Sequence, residues 1–107
     1  DPPEKSEVVR ILIAEIMLII IQNTLFDCFR PYVTNIVNIC KALCMDPYGE
    51  VIIHGTKVIA ELGKAGGDQL IHFCEAMGRS LFTSFVHRHS KVRMAGLNAL
   101  FDVMLAG

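Results

Sequence analysis

Three segments of this chain open alike: Ser6-Glu7-Val8-Val9-Arg10, Gly49-Glu50-Val51-Ile52 and Ser90-Lys91-Val92-Arg93. Each leads into an apolar run. Val9, Val51 and Val92 stand 42 and then 41 residues apart. A period of about 40–47 residues marks solenoids built from pairs of helices. The agreement continues downstream. Six positions after each valine comes a polar residue, Glu15, Lys57 or Asn98. Eight after comes Met17, Ile59 or Leu100, and eleven after comes Ile20, Leu62 or Val103. Fixed wet and dry positions are what stacked units require, because each buries its apolar edges on its neighbours.

Local signals divide the chain into five helices. From Ser6, Val9, Leu12, Ile13, Ile16 and Ile20 recur at three- and four-residue steps, predicting a helix over residues 4–22. Asp1, Pro2 and Pro3 form a helix-start signal before it. Pro31 suits the start of a second helix, whose apolar stripe is Val33, Ile36, Val37, Cys40, Leu43 and Cys44. Asp46-Pro47-Tyr48-Gly49 reads as a tight turn before a third helix, which ends in the glycines around residues 63–67. Asp68 is the predicted N-cap of a fourth helix over residues 69–86, and Ser90 that of a fifth reaching residue 105. Calling the helix after each turn B and the other A, the order is B-A-B-A-B. This is an all-α solenoid of about two and a half repeats, with a first helix followed by repeats over residues 31–64 and 68–105.

Composition narrows the functional classes. The chain has 107 residues, 52% hydrophobic and 20% charged, with net charge −1. That balance leaves no excess of cations for phosphates, against nucleic acid as the main partner. The apolar run over residues 11–21 contains Glu15 and is too short for a span, which needs about 20 residues. Cys28, Cys40, Cys44 and Cys74 match no disulfide framework, so reduced thiols are expected.

The residues resemble HEAT repeats. An A helix leads to a turn carrying Asp, then to a B helix opened by Val-Arg, written here as Leu43-Cys44-Met45-Asp46-Pro47 before Glu50-Val51, and as Lys91-Val92-Arg93 with Ala95. The segments Leu43-Cys44-Met45-Asp46-Pro47-Tyr48 and His87-Arg88-His89-Ser90-Lys91-Val92-Arg93 are similar to the HEAT-repeat dynein axonemal assembly factor family. The resemblance implies a cytoplasmic, non-enzymatic scaffold that holds dynein chains or chaperones while ciliary dynein arms are preassembled. Rival readings are a HEAT scaffold of phosphatase-regulatory or nuclear-transport type, or a nucleic-acid-binding helical repeat. Ile52 departs from the motif, standing where it has Arg and interrupting any continuous Asp–Arg ladder. Gly55 and Gly96 lie inside B helices, for which the resemblance implies close helix approach.

Candidate sites are correspondingly modest. Arg10, Asp46 and Arg93 sit at turns and helix openings, where an arginine fork can hold a turn carboxylate or carbonyl of an adjacent repeat. Glu15, Lys57, Glu61, Asn98 and Asp102 take the polar positions of B helices, the concave side of a solenoid, and are the partner-contact candidates. His72, Cys74, His87 and His89 fail as a zinc set because His72 and Cys74 point apart on a helix. Nothing pairs an activated Ser or Cys with an oriented His, so no catalytic residue or cofactor is expected. The methionines, scattered over separate helices, read as core filling.

The chain reads as beginning within a repeat, as a piece of a longer solenoid. The apolar sides of its end helices, around residues 11–21 and 101–105, are then open. The isolated piece is expected to self-associate or to be only marginally soluble; a monodisperse monomer at high concentration by light scattering contradicts this.

Overall fold

The computed structural model describes residues 5–106, and these are almost entirely helical. The helices are α1 (Lys5–Asn23), α2 (Phe26–Phe29), α3 (Val33–Cys44), α4 (Gly49–Gly66), α5 (Cys74–Ser80), α6 (Phe82–Phe85) and α7 (Ser90–Ala106). Turns of 3-10 helix over Arg30–Tyr32 and Gly67–Phe73 lead into α3 and α5. The architecture is that of a helical-repeat stack. The helix-start signal at residues 1–3 lies outside the described residues.

Helix α4 occupies the centre. Its most extensive contacts are with α7 on one side and α1 on the other, and it packs against α3 across the layer. Eleven of its 18 residues are buried, among them Val51, Val58, Ile59 and Leu62. Helix α3 is amphipathic as its stripe predicts: Val33, Val37, Cys40, Leu43 and Cys44 are buried, while Asn35, Asn38 and Lys41 face solvent. At the end of α4, Gly67 takes φ 52 and ψ −132, a positive-φ conformation that glycine adopts without strain, and the helix stops.

Several expectations change. The stripe read on the first helix faces out: Val9, Leu12, Ile13, Ile16 and Ile20 are all exposed, and the buried residues are Glu7, Ala14 and Ile21, one every seven residues. Apolar residues surround α1, so periodicity does not select its inner face; the face that enters the core carries Ala14 and Ile21. No helix of the described residues is long and apolar enough to cross a membrane. The fourth helix is also not continuous. Residues 67–73 are 3-10 helix, and α5 and α6 are separated at Leu81. The Ser80 hydroxyl donates to the Ala76 carbonyl (2.8 Å), that of Ser84 to Leu81 (2.5 Å) and that of Thr83 to Cys44 (2.6 Å). Such side-chain bonds compete with the helical ladder. Asp68 lies inside the 3-10 turn and makes no cap bond, and Ser90 is the first residue of α7 rather than its cap.

Two internal glycines mark close helix approach. A Cβ on Gly55 would lie 2.9 Å from Leu43 Cβ, and one on Gly96 would overlap the Ser84 hydroxyl and lie 2.8 Å from Ser84 Cβ. Gly78 has open space instead. Gly96→Ala is therefore expected to destabilise by about 1–3 kcal/mol as an overpacked contact. Gly78→Ala is expected to stabilise by about 0.5–1 kcal/mol through helix entropy. Urea unfolding of the two variants checks this, and equal midpoints contradict it.

Candidate functional site

The turn before α4 is held by one ion pair. Arg10 on α1 donates from Nε to Asp46 Oδ2 (2.6 Å) and from Nη2 to Oδ1 (3.2 Å). Asp46 Oδ1 also accepts the Tyr48 amide (3.0 Å), closing the turn. The Arg10 guanidinium lies 5.7 Å from the centre of the Tyr48 ring, at cation–π distance. The Asp46 side chain is only 7% exposed. A two-pronged, largely buried pair of this kind is stronger than ordinary surface pairs.

The next rung of that ladder is different on both sides. Ile52 stands where Arg10 stands in the preceding unit, and His87 where Asp46 stands. Ile52 is buried in a small apolar cluster with Ile53, Val92 and partly buried Ala95. An apolar contact replaces the ion pair, consistent with the missing arginine. Arg93 donates to the His87 carbonyl of its own turn (2.7 Å). His87 is held below its ordinary pKa by burial first, then by the nearby His89, Arg88 and Arg93.

Four of the five partner-contact candidates come together. Lys57 and Glu61 on α4 and Asn98 and Asp102 on α7 line a groove of about 520 Å³ that runs across the B helices and reaches Leu18 and Gln22 of α1. Lys57 and Asn98 are exposed. Glu61 and Asp102 are half-buried and bracket Lys64, at 3.4 and 3.7 Å. Glu15 is exposed on α1 but does not line the groove. The groove floor is apolar, with Ala60, Ala95 and Ala99 among its residues, and exposed Met94 stands at its edge. Sequence reading missed Lys64 and Met94. The signal was there: Lys57, Glu61 and Lys64, and Met94, Asn98 and Asp102, recur at three- and four-residue steps. Core filling describes Met77, which is buried, but not Met45, Met94 or Met104.

Among the described residues, no group of three His, Cys, Asp or Glu converges to hold an ion. Cys40 and Cys44 are pushed up to about 12, Cys40 by burial and then by Cys44, and Cys44 by burial. These thiols are protonated at neutral pH and unreactive.

The Arg10–Asp46 pair is open to direct test. Asp46→Ala is expected to cost about 1–3 kcal/mol, because it removes charge-assisted bonds to Arg10 and the bond to the Tyr48 amide. A double-mutant cycle with Arg10→Met should return a coupling of about 1–2 kcal/mol by urea unfolding, whereas additive losses contradict the pairing.

A family model described as dynein axonemal assembly factor 5-like, TPR repeats, matches residues 1–107. No curated protein and no solved structure matches the chain. The family description names TPR repeats where the turn motifs resemble HEAT repeats; both are helical pairs stacked into a solenoid, and the fold above is common to the two. On a match over its whole length, the chain belongs to the dynein axonemal assembly factor 5-like family and is part of its helical-repeat scaffold.

Proposed function

We propose that this chain is a non-enzymatic scaffold for the cytoplasmic preassembly of axonemal dynein arms, and that its partners are dynein chains or the chaperones that attend them. The family match over residues 1–107 carries the reading. The groove across the B helices is the contact surface, with Lys57 and Asn98 as its exposed polar contacts and Glu61 and Asp102, fixed by Lys64, as its rim. A floor of small apolar residues with polar edges suits a protein segment. Near-neutral charge disfavours a nucleic-acid partner. The 41- to 42-residue spacing supports HEAT-type units, since TPR units repeat at about 34 residues.

The test is affinity capture from ciliated cells, read by mass spectrometry, with the natural chain and with Lys57→Glu/Asn98→Arg. Dynein chains or chaperones are expected with the natural chain and at least tenfold less with the variant. Phosphatase subunits, transport cargo or RNA in their place overturn the functional reading. Undiminished dynein recovery by the variant overturns the groove as the surface.

A further inference from the structure

A second cleft adjoins the groove, sharing Ile53 and Lys91 with it, where α4 and α7 open side by side. It has a volume of about 430 Å³, and its lining includes Glu7, Tyr48, Glu50, Ile53, Lys91 and Val92. Glu7 is the unusual member. The residue is 8% exposed, it makes no hydrogen bond or ion pair with a described residue, and its carboxylate oxygens stay open to the solvent of the cleft. The other charges of the cleft are taken: Glu50 pairs with Lys91 at 3.1 Å. Arg10, one turn along α1 from Glu7, is held by Asp46.

A glutamate in a first helical turn is favourable for its own helix dipole. That accounts for an acid at position 7; its carboxylate opens into the cleft, where no described residue pairs with it and a cationic head can reach it. The balance of the lining is one negative charge in excess, and Ile53 and Val92 supply apolar wall. A charged head on a long apolar stem fits both features. Metal ions do not, because no three acidic, His or Cys groups converge among the described residues.

We propose that this cleft takes a lysine or arginine side chain of a partner protein, its head on Glu7 and its stem along Ile53 and Val92. The site rests on the scaffold reading and adds an anchor at the edge of that surface.

The test is an NMR titration of the chain with acetyl-Gly-Arg-Gly-amide, its lysine analogue and its citrulline analogue. Saturable shifts at Gly49, Glu50, Ile53 and Val92 are expected with the two basic peptides and not with citrulline. Glu7→Gln should weaken them at least tenfold. Lys91→Ala, a change at an exposed residue that frees Glu50 as a second carboxylate, should strengthen them several-fold. No saturable shift, equal shifts with citrulline, or insensitivity to both substitutions overturns the cleft. Loss of the cleft with dynein recovery intact leaves the scaffold reading standing. A basic peptide that titrates as expected while capture returns no dynein component overturns the scaffold reading alone.

Discussion

Every other element of this fold depends on the burial of α4. Among the described helices it is the one packed by B helices on both sides and by an A helix across the layer, so its apolar residues do not form a stripe but cover most of its circumference. Burial of that surface is the largest favourable contribution available to a chain of this size. Its cost is in shape. Close approach relies on small residues, as where Gly55 meets Leu43 and Cys44, while α1 enters the core through Ala14 and Ile21. Close packing makes those positions intolerant of added volume.

Polar groups then set register rather than supply the bulk of stability. The Arg10–Asp46 pair ties α1 to the turn that starts α4, and Lys91–Glu50 and Lys64–Asp102 tie α7 to α4. Only the first is shielded enough to matter greatly; exposed pairs contribute at most about 1 kcal/mol. The change from Arg–Asp to Ile–His at the following rung leaves an apolar contact where a desolvated ion pair would stand. Because desolvation offsets much of a buried pair's attraction, such an exchange is inexpensive when both partners change together. The groove is a by-product of the same stacking: B helices laid side by side leave a furrow, and their recurrent polar positions fall along it.

Legibility followed chemistry. The repeat spacing, the amphipathic α3 and the turn at Asp46 were all written in residue types with strong local preferences. The inner face of α1 was not, because a helix apolar all round carries no directional signal. The break between α5 and α6 was missed because it depends on serine and threonine hydroxyls choosing backbone acceptors, one of them on another helix. Of the five polar positions read on the B helices, Lys57, Glu61, Asn98 and Asp102 line the groove, whereas Glu15, at the same offset as Lys57 and Asn98, falls outside it. Glu7 was read only as part of a repeated opening; its burial is a tertiary fact that no local pattern contains.

The central claim, that α4 is the common core on which α1, α3 and α7 are laid, is tested most directly by native-state hydrogen exchange. Core helices exchange only through global opening, while peripheral ones open locally at lower free energy. Amides in the middle of α4, around Val58 to Leu62, should be the slowest in the chain and share the free energy of global unfolding. Those of α1 and α7 should exchange faster. Protection greater in α1 or α7 than in α4 would contradict the account.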